Sequence, residues 1–255
     1  MKIDVIVPTN NIKEINCFIK SFSSLKEFKK LCRIVIVGNG SVVKKDIVFN
    51  NSLNIHFINT MISVKQNEEM VPFLELRALG MIDSNSDFFL LMDSDHTFPD
   101  GSDSFLMNCI EKLKDKQLDI SVLCTDRIRD GKDGLYKKDG YIWSNRGLFI
   151  ENLFDKYFLS DIIDIEILGA SEDLLLSYYV LEQKGNPYII HGSPVKRVEK
   201  RHVNGIVKYD KSYDEKNMDM NCLGYIRGRY NDSSWTHKSG KFPKLLNDLL
   251  NKRCN

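Results

Sequence analysis

The stretch Phe88-Phe89-Leu90-Leu91-Met92-Asp93-Ser94-Asp95-His96 passes from five apolar residues to two carboxylates one residue apart. A run that short and solid reads as a strand buried on both faces, far below the ~20 residues a bilayer demands. Similar runs of four or five residues occur at Ile3–Val7, Ile34–Val37, Ile55–Ile58 and Ile120–Cys124, several rich in Val and Ile. Helical patterns separate them. Asn11 and Glu14 are spaced as a capping pair around Ile12, Ile15, Ile19, Phe22 and Phe28. Pro72 suits a first helical turn, and Val71, Leu74, Ala78, Met81 and Ile82 follow at helical spacing. Phe105, Leu106, Cys109, Ile110 and Leu113 form a third stripe, with Asp100 or Ser102 as its expected cap. Strands and helices in alternation define an α/β chain with a mostly parallel central sheet flanked by helices.

The composition fits one packed domain or a domain with a small appendage. The 255 residues carry 36 Lys+Arg against 35 Asp+Glu, so a net charge of +1 argues against a globally basic nucleic-acid binder and a polyacidic tail. A hydrophobic fraction of 42% at this length supports a core without disulfides or a structural metal. The six cysteines form no C-x-x-C pair and most lie in apolar segments, which predicts free thiols and a reducing, cytoplasmic setting. Asp4 and Pro8 interrupt the first apolar stretch, so no signal peptide is expected.

Open sheets of this kind bind ligands at the carboxyl ends of their strands. The residues there are Pro8-Thr9-Asn10, Gly38-Asn39-Gly40-Ser41 and Asp93-Ser94-Asp95-His96. Two carboxylates at the edge of a core call for a cation, and an all-oxygen pair suits Mg²⁺ or Mn²⁺ better than zinc. The simpler alternative is that Asp93 and Asp95 shape the turn toward Pro99. A second acidic group, Glu172-Asp173, follows Gly169-Ala170-Ser171 at the start of a pattern with Leu174, Leu175, Leu176, Tyr178, Tyr179 and Leu181, ended by Gly185 and Pro187. A carboxylate in a first helical turn stays ionised and can accept a proton, although acids are common there for stability alone.

The order Val5-Ile6-Val7-Pro8-Thr9-Asn10, Ile34 to Ser41, Arg77-Ala78-Leu79-Gly80, Leu90 to Asp95 and Glu172-Asp173 resembles the inverting family 2 glycosyltransferases with the GT-A fold, over roughly residues 1 to 190. The resemblance implies a nucleotide-sugar donor, a UDP-sugar in the first instance, and transfer to a hydroxyl of a saccharide or lipid-linked saccharide. It places Pro8, Thr9, Asn39, Arg77, Asp93 and Ser94 at the donor, and Asp95 with Asp93 on a Mn²⁺ or Mg²⁺ ion. Asp173 falls at the catalytic-base position, with Glu172 beside it. The resemblance also implies a histidine after the helix that follows as a further metal or phosphate contact, for which His191, His202 and His237 compete; Lys196, Arg197, Lys200 and Arg201 around His202 favour it, with a solvated basic loop as the alternative. Gly38 and Asn39 replace the family's usual acids after the second strand, and Tyr178 and Tyr179 stand where an arginine is common.

Tyr141 and Trp143 lie where such enzymes bind the acceptor, and flat rings stack on sugar faces; a core role fits them as well. Residues 1–215 are expected to form the catalytic domain, with a nucleotide-binding half at 1–125 and an acceptor-binding half at 126–215. The remaining 216–255 form a helical extension in which Phe242, Leu245, Leu246, Leu249 and Leu250 face one side. That helix packs on the domain, on a second subunit, or peripherally on the inner face of an anionic membrane. Two other functions compete: a catalytically silent glycan- or partner-binding module, and a sugar nucleotidyltransferase. Pro8-Thr9-Asn10-Asn11 lacks the glycine-rich, basic loop that the latter needs.

Overall fold

The computed structural model describes residues 1–40, 42–61, 73–125, 133–135, 147–164, 176, 177, 179, 180, 183 and 186–197. Its elements run β1 Ile3–Thr9, α1 Ile12–Ser23, β2 Cys32–Asn39, β3 Asn54–Thr60, α2 Phe73–Met81, β4 Phe88–Leu91, β5 His96–Thr97, α3 Ser102–Lys114 and β6 Ile120–Thr125. They continue with β7 Gly134–Leu135, β8 Leu148–Glu151, α4 Lys156–Asp164, β9 Asn186–Ile190 and β10 Lys196–Arg197. Among the described residues, eight strands form one sheet in the order β3-β2-β1-β4-β8-β6-β9-β7, and β5 pairs with β10 in a small second sheet. The pairs β2·β3, β1·β2, β1·β4 and β6·β9 are parallel; β8 lies antiparallel between β4 and β6, and β7 is antiparallel to β9.

Alternation along the strands divides the interior between two faces. Val5, Val7, Ile34, Ile36, Leu90 and Leu123 meet α1 and α3 through Ile15, Phe18, Phe22, Leu106 and Ile110. Ile6, Val35, Val37, Phe89, Leu91 and Val122 meet α2, α4 and the helical residues Leu176, Tyr179 and Val180 on the other face. Gly80 lets α2 lie close to the sheet, since a Cβ there would stand 2.8 Å from Ile6 Cγ2. No helix among the described residues is long and apolar enough to cross a membrane.

Several expectations change. The third run is an edge strand whose outward residues Asn54, His56 and Asn59 are exposed, so it is not buried on both faces. Phe28 lies in a separate 3₁₀ turn rather than in α1, although it packs on the same core. The cap of α3 is Gly101, at φ 89°, which falls between Asp100 and Ser102; Asp103 of the first turn instead accepts from the backbone N–H groups of Glu27 and Phe28. Pro187, read as a stop for the preceding helical pattern, sits inside β9. Cys32, Cys109 and Cys124 are buried thiols, whereas Cys17 is exposed on α1. The expected C-terminal helix lies outside the described residues.

Candidate active site

Chain connections part on either side of β1, running outward from β1 to β2 on one side and back from β3 to β4 on the other. The α1 crossover covers one face on its way to β2, while α2 covers the other on its way to β4, so the crevice at the carboxyl ends of β1 and β4 is the switch point of the sheet. The pairing of β1 with β4 stops at Ile6 and Leu91, while β1 runs on to Thr9 beside β2 alone. Pro8 is buried in that unpaired stretch, where its missing N–H disturbs no ladder toward β4. Thr9 closes the strand: its hydroxyl accepts from Asn11 N–H and donates to Asn11 C=O, both at 3.1 Å. Asn11 then caps α1, accepting from the N–H groups of Lys13 and Glu14. Asn39, also buried, ends β2 in register with Thr60 of β3.

The acidic turn leaves β4 at this crevice. His96 N–H donates to Asp93 C=O at 3.3 Å and closes the turn. Each side chain in it is held from a different direction. Arg77, 5% exposed on α2, donates to Asp93 Oδ1 at 2.9 Å. Ser94 donates to the Glu14 carboxylate of α1 at 3.2 Å. His96, fully buried, accepts the Asp93 N–H on Nδ1 at 3.4 Å and holds Nε2 3.9 Å from Asp95 Oδ1. Asp93, Asp95 and His96 each offer an atom within 4.8 Å of the others, so among the described residues they form a group able to hold a metal ion. Two carboxylates and a strand-end turn fit a hard divalent cation such as Mn²⁺ or Mg²⁺.

The structure brings together Pro8, Thr9, Asn39, Arg77, Asp93, Ser94 and Asp95 at the carboxyl ends of neighbouring strands or on the helix above them. It also ties the basic segment to this turn, because Arg197 pairs with His96 and Lys196 with Thr97. His191 stands elsewhere: it is exposed at the end of β9, with its N–H bonded to Asp133. Glu172, Asp173, Tyr141, Trp143, His202 and His237 lie outside the described residues. Tyr179, expected near an arginine position, faces the core, stacked 3.9 Å from Phe158 with its hydroxyl bonded to Asp155. Sequence reasoning missed two contributors, His96 and Glu14. His96 directly follows Asp95 in the sequence, whereas Glu14 had registered only as half of a helix cap.

This architecture is the GT-A fold of nucleotide-diphospho-sugar transferases. Among solved structures, the chain is similar to a mannosyltransferase, PcManGT from Pyrobaculum calidifontis, in complex with GDP-Man and Mn²⁺. That match has 13% identity and a TM-score of 0.60 over 98% of this chain and 69% of the other. It is also similar to S. aureus TarS 1-349, with 19% identity and a TM-score of 0.52 over 76% of this chain and 60% of the other. The same TarS fragment in complex with UDP-GlcNAc matches at 17% identity and a TM-score of 0.52 over the whole of this chain and 72% of the other. The chain thus spans about 60% of the TarS fragment in the first of these matches. No protein-family model matches the sequence, and the search of curated proteins returned no match.

Proposed function

We propose that the chain is a glycosyltransferase that moves a sugar from a nucleoside diphosphate donor, a UDP-sugar in the first instance, to an acceptor hydroxyl with inversion. The observation that carries this reading is the Asp93-Ser94-Asp95-His96 turn at the switch point of a GT-A sheet, braced by Arg77 and Glu14. Asp95, with Asp93, would hold Mn²⁺ or Mg²⁺, which when bound supplies positive charge against the donor diphosphate. Thr9 and Asn39, buried at the ends of β1 and β2, would contact the nucleotide base, and Arg77 holds Asp93 in place through the bond to Oδ1. Asp173 would take the acceptor proton, Glu172 would orient the acceptor, and Tyr141 and Trp143 would stack on its sugar rings. These four roles rest on the sequence resemblance, whereas the choice of His202 as a further contact rests on the basic residues around it in the sequence and the division at residue 215 on the sequence pattern. Neighbours that hold UDP-GlcNAc or GDP-Man with Mn²⁺ support a nucleotide-sugar donor.

The test is a thermal-shift titration with UDP, GDP and other nucleoside diphosphates, each with and without Mn²⁺, followed by assay of sugar-nucleotide turnover. Saturation at about 100 times the dissociation constant adds roughly 2.7 kcal/mol. Stabilisation by UDP only when Mn²⁺ is present, with turnover of a UDP-sugar, supports the reading. A response to no nucleotide, and no turnover, replaces it with a binding module on the same fold.

A further inference from the structure

The outer side of α1 and the segment after β2 make a surface that the proposed reaction does not use. We propose that this surface docks the chain on an anionic lipid bilayer, with Val48 and Phe49 entering the interface and Lys13, Lys20, Lys44 and Lys45 meeting the headgroups. Val48 is 64% exposed and Phe49 42%, and among the described residues they are the one place where two large apolar side chains adjacent in sequence both face solvent. The fold holds them there. Val42 and Ile47, buried on either side of the 3₁₀ turn Lys44–Asp46, anchor the segment in the core. Asn16 of α1 fixes its outer part: the side-chain amide donates to Asp46 C=O at 3.1 Å and accepts from Val48 N–H at 2.9 Å.

The same bonds set the charges around the apolar pair. Lys13 and Lys20 stand three residues before and four after Asn16, so they share its side of α1, and both are exposed. Lys44 and Lys45 are exposed in the turn itself, with Lys44 Nζ 5.8 Å from the centre of the Phe49 ring. Against these four cations the segment offers one exposed acid, Asp46, while Glu14 is turned away from Asn16 and accepts from Ser94. Lysines alone would suit any soluble polyanion, and apolar side chains alone any protein partner. The two together match a bilayer, which sets anionic headgroups above an apolar layer.

The test is co-sedimentation of the full-length chain with vesicles of phosphatidylcholine alone or with about a third phosphatidylglycerol. Binding to the anionic vesicles only, weakened by salt, is expected. Lys44→Gln with Lys45→Gln should weaken it about 20-fold, and Val48→Ser with Phe49→Ser about tenfold. These side chains are exposed, so both double variants keep the fold. Cys17, exposed on α1 between Lys13 and Lys20, gives a readout in the wild type: its maleimide labelling, resolved by peptide, should slow several-fold on the anionic vesicles. No binding to anionic vesicles, or equal binding to neutral ones, overturns the proposal. Binding that survives both double variants and leaves Cys17 labelling unchanged overturns it too, and puts the lipid contact elsewhere in the chain. A chain that ignores vesicles but binds heparin through Lys44 and Lys45, indifferent to Val48→Ser with Phe49→Ser, overturns it in favour of a soluble polyanion.

Discussion

The two ends of the sheet both bury carboxylates and treat them oppositely. At the amino end Asp4, 3% exposed on β1, is gripped by the Arg33 fork from β2 directly across, Nε to Oδ1 at 3.0 Å, and accepts the Ser84 hydroxyl. Hydrogen bonding to Asp4 in turn raises the guanidinium above its usual range. At the carboxyl end, among the described residues, two carboxylates face the single guanidinium of Arg77, which reaches Asp93. The first group is an ion pair closed across two neighbouring strands, whereas the second brings ligand atoms of Asp93, Asp95 and His96 within 4.8 Å of one another, a group able to hold a metal ion. A buried aspartate is therefore no functional signal by itself; the gathering of several ligand atoms at one strand end separates a site from a brace.

The largest effect that would sharpen this contrast is on turnover. Asp95→Ala should lower sugar-nucleotide turnover by at least about 100-fold while leaving the melting temperature nearly unchanged, because it removes an oxygen that would hold the ion rather than half of a core ion pair. Retained turnover would place Asp95 with Asp4 as a structural acid. Next comes stability at the amino end. Arg33→Met strands a buried carboxylate and should cost about 2 to 3 kcal/mol, lowering the melting temperature by roughly 5 to 10 °C. Adding Asp4→Leu should restore most of that loss, which a double-mutant cycle by thermal denaturation would read.

A smaller effect tests a carboxylate held without any arginine. Burial raises the Asp103 carboxyl, but the N–H groups of Phe28, Glu27 and Lys26 outweigh it, and the carboxyl lies below its usual range. Its contribution is present above the ordinary aspartate value near 3.9 and is lost as the pH falls through the lowered value. Asp103→Asn should melt lower than wild type at pH 7, with the gap closing below about pH 4. The smallest effect is chemical. Burial, and then Asp4, push the Cys32 thiol up, and burial pushes Cys109 up to about 12. Peptide-resolved maleimide labelling of the native chain should find Cys17 and pass over Cys32, Cys109 and Cys124.

The amino-terminal half was legible because its strands are apolar runs of four or five residues with amphipathic helices between them. The five runs became β1, β2, β3, β4 and β6, and Asn11 caps α1 as its spacing implied. What escaped was short or borrowed its stability from elsewhere. Leu148-Phe149-Ile150 is too brief to announce β8, Pro187 disguised β9, and β5 and β10 hold two residues each. At the site, the Asp-x-Asp spacing was visible in the chain. The roles of His96 and Glu14 were not, since their partners are created by the turn and by the approach of α1.

The placement of β8 also sets an order of assembly. During synthesis β1 to β4 emerge with every parallel partner they need, but the outer edge of β4 must wait for residues 148–151, and β6 waits for the same strand. A nascent chain ending near residue 125 would therefore present the outer edge of β4 and both edges of β6 unsatisfied, the kind of surface that invites pairing with other chains. The late antiparallel strand acts as a keystone: until it slides in, the halves of the sheet cannot be joined, and the rate of its arrival governs how long the molecule is exposed to misassembly.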